Sequence, residues 1–585
     1  MGPGMILDLG HPSDIMARAL ASCRRHFLSS LIFSALLNLL YIAPVLYMLQ
    51  VYDRVVSEHG TTTLFFLTLI LLIALAALSL LEFVRSRLLV RASVRLDRQL
   101  AGVLLDTALM GRGSTSDTMN KQVLREFDTL RQALTGPTIL AIFDIPWSPI
   151  YVIICFIIHP AIAALAVVGG AALLFITFRN ERQTGEPLTR ANEAAGKAYV
   201  SQEQTLAGAE IIRALGMRQA LVHRHLAERQ AMLRLQTEAS FAGGRHVALS
   251  KFLRLSLQSL ALGLGAWLAV NSAISVGAIF AASFLVARAL APIDQLLNTW
   301  RSFVKARGSY RTLNDLLETR EADVALTQLP APAGHITAEH VTLLSAKGDS
   351  AILADISFAV EPGEVIAIVG PSGAGKSTLL RMLSGAGRPH RGTIRIDGAD
   401  IRDWNTERLA PYVGYLPQDT SLFPGSIRDN IARFQNCFDR DDGAIDAAVV
   451  EAARASGVHD MIQRLPDGYN QVLGWGGRGL SAGQAQRIGL ARALYGDPRI
   501  IFLDEPNAHL DAEGEVQLVA TLADLKKKKA SIIVVAHRMG ILGVVDKIMV
   551  MRDGRIETFG PRDEVLGRLK AIRANDPNPV KAAEA

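Results

Sequence analysis

The stretch Gly370-Pro371-Ser372-Gly373-Ala374-Gly375-Lys376-Ser377-Thr378 decides how the chain is read. It follows an apolar run, Val365 to Val369, and precedes a helical one, Leu379 to Leu383. Strand, glycine loop and helix in that order form a phosphate cradle. Its glycines let backbone N–H groups turn inward on phosphate oxygens, and the helix N-terminus adds its positive end. Lys376 is placed to reach the β- and γ-phosphates of a nucleotide, and Ser377 to offer an oxygen to Mg²⁺.

Downstream, Ile500-Ile501-Phe502-Leu503-Asp504-Glu505-Pro506 is an apolar strand that ends in two carboxylates. Asp504 is suited to holding Mg²⁺, and Glu505 to polarising an attacking water as general base. Either acid alone would be an ordinary turn residue. Behind the glycine loop, the pair predicts a nucleoside triphosphate hydrolase with ATP and Mg²⁺ as its cofactors.

Upstream the composition changes. The chain has 585 residues, too many for one core. Half are hydrophobic, and the mean hydropathy is +0.25. The apolar excess falls into six runs before about residue 292: Phe27 to Leu49, Leu64 to Leu81, Ile139 to Ile158, Ala161 to Phe178, Phe252 to Val270 and Ile274 to Leu290. A helix crosses the hydrocarbon layer with about 20 such residues, so six spans in the lipid bilayer are predicted. Asp144, Pro146 and Pro149 interrupt the third, and Arg254 opens the fifth.

The net charge of +6 is read as orienting these spans rather than as binding nucleic acid. Arg85, Arg87, Arg91, Arg95, Arg98, Arg112, Lys121, Arg125 and Arg131 crowd the segment between spans two and three, and the segment between four and five is similarly basic. Both are expected in the cytosol, with both termini. The remaining connections carry almost no positive charge. Cys23, Cys155 and Cys437 are scattered and accompany no metal-ligand spacing. Residues 1–26 lack signal-peptide order and are read as a retained cytosolic segment.

The domains expected are therefore 1–26, a membrane domain 27–320, a linker 321–335, a nucleotide-binding domain 336–568 and a flexible tail 569–585. The fold class is a six-helix, all-α transmembrane domain followed by an α/β P-loop domain. Gln295 to Thr319 reads as a helix, and Leu329 to Gly334 as linker by its Pro and Gly content. In the two basic segments, apolar residues at spacings of three and four predict helices that continue below the membrane. Glu126 to Leu134 and Glu203 to Met217 are the expected couplers to the motor. Asn38, Gln258 and Ser283 in the spans are read as interhelical hydrogen-bonding residues rather than a substrate path.

Between the two acid and lysine anchors lies Leu480-Ser481-Ala482-Gly483-Gln484, and Tyr415-Leu416-Pro417-Gln418-Asp419, His509-Leu510-Asp511 and His537 occur in family order around it. Here the chain resembles the ATP-binding-cassette family. The resemblance implies that Gln418 senses Mg²⁺ and the attacking water and that His537 contacts the γ-phosphate. It also implies that Asp511 belongs to the nucleotide site and that the loop with Ser481, Gly483 and Gln484 completes the site of an opposite subunit. One motor per chain then requires two chains; a homodimer is the economical solution, and pairing with a different half-transporter is the alternative.

Three positions depart from the family pattern. Val341 to Ser350 has no aromatic to stack on adenine, Trp475 stands where exporters carry Glu, and His509 replaces a small residue. In the membrane half, Leu46 to Val56, Phe143-Asp144-Ile145-Pro146-Trp147-Ser148-Pro149-Ile150-Tyr151 and Ser250 to Ser259 look like the type I secretion permease/ATPase family, in its protease- and lipase-exporting branch. That implies an inner-membrane exporter of an unfolded polypeptide with a C-terminal signal. Its implied partners are a second copy of itself, a periplasmic adaptor (membrane fusion) protein and an outer-membrane channel protein. The first span begins near residue 27, so no leader-peptidase domain is expected. A lipid or drug exporter of the same architecture is the competing reading, and a non-transporting ATP sensor is a third.

Overall fold

The structure, a computed structural model, describes residues 13–110, 123–318, 329–345, 348–438, 441–510, 512–536 and 539–574. The chain divides into two compact units, Met1–Ala322 and Asp323–Ala585.

Among the described residues of the first unit, six helical stretches are long and apolar enough to cross a membrane: Arg24–Glu58, Thr61–Met110, Val123–Ile158, Pro160–Leu206, Arg218–Val270 and Val276–Asn298. Five contain one predicted span each, and the sixth covers all but the first two residues of its span, Ile274 and Ser275. Most run far past the span because the apolar spacing of the basic segments continues the same helix. The second is unbroken for 50 residues and the fifth for 53. The third is assembled from Val123–Thr135, Pro137–Asp144, a 3₁₀ turn Ile145–Trp147 and Ser148–Ile158. Pro137, Pro146 and Pro149 each lack a backbone donor, which accounts for the segmentation.

Exposure ranks the helices. No residue of the most apolar window of the second is buried, and it turns Phe65, Phe66, Ile70 and Ile73 outward. The sixth is the central helix, with 61% of its window buried and Ala281, Ala282, Leu285 and Val286 fully enclosed. Below the apolar zone, Met16, Leu96, Leu100, Phe127, Leu130, Tyr310 and Leu313 form a separate core. It joins the short helix Asp14–Ser22 to the second helix, to Val123–Thr135 and to Trp300–Glu318.

Several expectations change in detail. The single helix over Gln295 to Thr319 is two, ending at Asn298 and restarting at Trp300. The helix Arg562–Ala574 continues past residue 569, the expected start of the tail. Glu126 to Leu134 turns Phe127 and Leu130 into the core just described, and Glu126 accepts from Ser309 Oγ at 2.5 Å. That face is therefore occupied within the unit. Glu203 to Met217 forms the tip of a hairpin of two long helices, with the short helix Ala209–Ala214 leaving Ile211 and Leu215 exposed.

Buried polar residues join the spans. Arg85 Nη1 donates to Asp144 Oδ1 at 3.2 Å and to Ser34 Oγ at 2.9 Å. Asn38 Nδ2 donates to Asp144 Oδ1 at 3.2 Å, and Tyr151 donates to Asn38 Oδ1 at 3.0 Å. Ser283 donates to the Gln258 carbonyl. In this structure, Asn38 and Ser283 thus make interhelical hydrogen bonds.

At the opposite end, Asp53 sits in a π-helical turn, Val51–Val55, and accepts from Gly277 N at 2.6 Å and Ser275 Oγ at 2.5 Å. The carboxylate caps the sixth helix where the backbone N–H groups are unpaired. Only glycine fits at 277, since a Cβ there would lie 2.5 Å from the Leu49 carbonyl oxygen. Gly277→Val should cost on the order of 1–3 kcal/mol by overpacking and detach Asp53. A lowered melting temperature of the detergent-purified protein checks this; an unchanged one would refute the close approach.

The second unit is built on a six-stranded sheet. In chain order its strands are β3 (Val365–Val369), β6 (Val413–Leu416), β9 (Ile500–Asp504), β10 (Ser531–Val535), β11 (Lys547–Arg552) and β12 (Arg555–Pro561). Their spatial order is β12-β11-β3-β10-β9-β6, parallel except for the edge strand β12. β3, β9 and β10 are continuous apolar runs because both faces are covered. Leu379, Leu380 and Leu383 cover one face, and Leu490, Leu494, Leu518 and Leu522 the other.

A second, antiparallel sheet contains β1 (Ile336–Leu344), β2 (Ala351–Val360) and β4 (Arg391–Ile396). The Pro- and Gly-rich stretch before β1 is bound to this unit: the Asp397 carboxylate accepts from His335 N, and Arg499 Nη1 donates to the Pro332 carbonyl.

Candidate functional site

Parallel strands with crossovers leave their C-terminal ends on one edge, which is where such sheets bind ligands. Here the order β3-β10-β9-β6 aligns those ends: Val535 pairs with both Ile368 and Asp504, and Leu416 pairs with Leu503. The glycine loop after β3, Gln418 after β6 and the two acids at the end of β9 therefore come to one edge although they are far apart along the chain.

Backbone sterics hold the loop. Gly370 has φ +152°, and a Cβ there would lie 2.2 Å from the Met551 carbonyl oxygen of β11. Gly375 has φ +91° and lies against the Ile352 carbonyl. Around Gly373 the space for a side chain is open, as a surface that meets a ligand requires. Lys376 opens the helix Lys376–Leu383 and donates to the carbonyls of Gly370 and Pro371 at 2.8 and 2.9 Å. Burial pulls its ammonium pKa down, while Glu505 and Asp504 push it up. The ammonium is thus partly desolvated and directed at its own loop, available for exchange onto phosphate oxygens.

Ser377 Oγ donates to Asp504 Oδ1 at 3.0 Å. Asp504 is 3% exposed, and burial raises its pKa above the ordinary carboxylate range against the lowering effect of Ser377. A desolvated carboxylate beside a hydroxyl is a hard-oxygen pair in need of a cation, which fits Mg²⁺ completed by phosphate and water. Among the described residues no cluster of three or more His, Cys, Asp or Glu forms a closed metal cage, consistent with that open arrangement.

Glu505 has φ +48°, a left-handed conformation uncommon for a non-glycine. Its N–H donates to the Val535 carbonyl at 3.2 Å, and its carbonyl accepts from Gln486 Nε2 at 2.9 Å. Gln486, 3% exposed, also accepts from His509 N at 3.0 Å. It thereby ties the helix Ala482–Leu494 to Glu505 and the segment that follows it. Its place on the buried face two positions after Gln484 was the available signal, and sequence reading missed it.

The signature residues occupy the start of that helix. Ser481 and Gln484 cap it reciprocally, Gln484 N donating to Ser481 Oγ and Ser481 N to Gln484 Oε1. Gly483 approaches the His509 carbonyl so closely that a Cβ would fall 2.7 Å from it. Among the described residues no hydrogen bond connects Ser481, Gly483 or Gln484 to the phosphate loop. Gln418 is exposed two residues beyond β6. Asp511, His537 and the Trp475 side chain lie outside the described residues. At the end of β1, Leu344 and Ser345 supply aliphatic and hydroxyl surface, without an aromatic ring.

Two family models match the chain: the ABC transporter transmembrane region over residues 27–290 and the ABC transporter over 353–508. Over 562 residues it is 39% identical to the type I secretion system ATP-binding protein PrsD of Rhizobium meliloti (strain 1021), covering 94% of both proteins. The chain belongs to the type I secretion ATP-binding proteins of the ABC transporter family. It is 28% identical to the alpha-hemolysin translocation ATP-binding protein HlyB of Escherichia coli, over 95% of this chain and 78% of that protein. A bacterial Atm1-family ABC exporter solved with ATP bound has the same fold, with a TM-score of 0.79 at 23% identity over 95% of this chain and all of the other. As a member of this family, the chain is a multi-pass inner-membrane exporter that couples ATP hydrolysis to transport.

Proposed function

We propose that this ABC exporter moves an unfolded polypeptide bearing a C-terminal signal out of the cytosol. In this reading it works as a homodimer with a periplasmic adaptor and an outer-membrane channel, with its nucleotide-binding unit and both termini cytosolic. The supporting observation is the extent of the PrsD likeness, which spans the membrane half as well as the motor. Motor motifs alone are common to exporters of every cargo; the helices that meet the cargo are not.

The site residues take the following roles. Gly370, Ser372, Gly373, Ala374, Gly375 and Thr378 surround the phosphates through backbone N–H groups, Pro371 shapes the turn without a donor, and Lys376 moves from its loop carbonyls to the β- and γ-phosphates. Ser377, Asp504 and Gln418 hold Mg²⁺, which when bound neutralises charge on the phosphate oxygens. Glu505 takes a proton from water as its oxygen bonds to the γ-phosphorus and the bond to the β-phosphate oxygen breaks, giving ADP and phosphate. His537 contacts the γ-phosphate. Asp511 belongs to the nucleotide site, and Ser481, Gly483 and Gln484 act on the partner copy's nucleotide. In support of that last assignment, Ser481 is placed by its cap at an exposed helix N-terminus, a site suited to an anion. The hairpin tip Glu203 to Met217, with its exposed Ile211 and Leu215, is the coupler to the motor.

Co-expression with an adaptor, an outer-membrane channel and a candidate substrate tests the reading by assay of the medium. Secretion should require all three proteins and disappear with Lys376→Ala. Secretion that persists in Lys376→Ala cells would refute it, as would ATP-dependent movement of lipid or drug with no polypeptide exported.

A further inference from the structure

Arg85, Arg254 and Arg288 lie on the apolar helices and face other helices, and they are treated differently. Arg85 pairs with Asp144 at 3.2 Å, and Arg254 Nε pairs with Asp294 Oδ2 at 3.3 Å. Arg288 has no carboxylate or hydrogen-bond partner among the described residues. Instead its guanidinium carbon lies 3.3 Å from the centroid of the Tyr41 ring. At that separation the two planes must be roughly parallel, because an edge-on guanidinium would drive a nitrogen into the ring. A stacked guanidinium keeps its N–H donors, which radiate in its own plane, free for a planar anion.

The position makes this costly without a purpose. Arg288 lies about 18 Å along the sixth helix from its first residue, Val276, at 1.5 Å per residue. A hydrocarbon layer is about 30 Å thick, so the charge falls well inside it. The helix face is also informative. Ala281, Leu285, Ala289 and Pro292 are buried in the bundle, whereas Phe284, Arg288, Gln295 and Asn298 share a stripe that the chain leaves partly or fully open. Lipid-facing stripes are apolar; one carrying Arg, Gln and Asn borders a polar path. Tyr41 supports the arginine from the first helix, at the break between Arg24–Leu40 and Ala43–Gln50.

We infer that Arg288, backed by Tyr41, is a binding point in the membrane half for the Asp and Glu carboxylates of the polypeptide being exported. The inference rests on the polypeptide-export reading above. The fork of N–H groups accepts a carboxylate bidentately, and each acidic side chain of an extended chain exchanges for the next as the chain advances. Asp144 does not compete, being engaged by Arg85 and Asn38.

The test has two arms. In cells secreting a substrate through the wild-type chain, Arg288→Gln should lower export of that substrate by about tenfold, the weight of one hydrogen bond to a charged group. Arg288→Lys should retain part of it. A substrate whose body acids are replaced by Asn and Gln, with its C-terminal signal intact, should be exported alike by wild type and Arg288→Gln. Purified Arg288→Gln should keep wild-type ATPase activity and melting temperature. In the second arm, a fluorescent oligo-glutamate peptide should bind the wild-type protein in nanodiscs about tenfold more tightly than Arg288→Gln, and oligo-glutamine should not distinguish them. Equal peptide binding by the two proteins overturns the inference. So does equal loss of both substrates, which would mark Arg288 as structural or as part of a contact between copies. If wild type exports no polypeptide, the functional reading fails, and the peptide arm still decides the arginine.

Discussion

Glu505→Gln is expected to slow ATP hydrolysis by about 10²–10⁴-fold, the usual contribution of a positioned general base, while nucleotide binding is retained. The substitution is nearly isosteric, so the left-handed backbone at 505 and its bonds to Val535 and Gln486 remain. What disappears is the acceptor for the water's proton. Lys376 and the loop glycines are untouched, so binding should stay within a few-fold. Phosphate release by the purified protein, measured beside binding of a fluorescent ATP analogue, separates these effects. Equal turnover by the two proteins would remove Glu505 from the mechanism. It would also revive the view of this motor as a sensor whose acid is ornamental.

The second large effect is expected at Asp144. Replacing it by Ala leaves Arg85 buried with, among the described residues, only the Ser34 hydroxyl as partner. Breaking a buried pair on one side costs on the order of 3–5 kcal/mol. Removing both charges costs less, because no uncompensated ion is left. The melting temperature in detergent should therefore fall in the order wild type, Arg85→Leu/Asp144→Ala, Asp144→Ala. A double variant less stable than the single one would mean the pair is not the stabilising unit. The position matters because Asp144 closes the segment Pro137–Asp144 at the 3₁₀ turn in the third helix. The pair joins the second helix to that break.

Local order in the sequence was enough to read the phosphate loop. A strand, a glycine loop and a helix are contiguous, and their chemistry depends on backbone geometry that glycine spacing encodes. The acids at the end of β9 were legible for the same reason. The six spans were legible because about 20 apolar residues in a row have few other uses. Their lower limits were less so: a helix that leaves the bilayer swaps one hydrophobic partner for another, and the sequence does not mark the boundary. The helix break at Thr299 and the helical extension to Ala574 were missed for a similar reason, since neither carries a strong stop signal at its actual end.

Pairing across long sequence separations was left to the tertiary structure. The four polar residues Arg85, Ser34, Asn38 and Asp144 come from three helices, and no spacing rule connects them. Asp53 caps a helix that begins 223 positions later at Val276, and Gly277 is a glycine only because Leu49 packs against it. Gln486 reads as one more polar residue of a helix until the fold brings His509 and Glu505 to its two ends. Sequence by itself determined the ATPase chemistry and the membrane-spanning architecture, because both are written in contiguous residues. The tertiary structure decided which charges are neutralised and which, like Arg288, are left without a counter-ion among the described residues, because a side chain's partner is set by packing between helices and not by its neighbours along the chain.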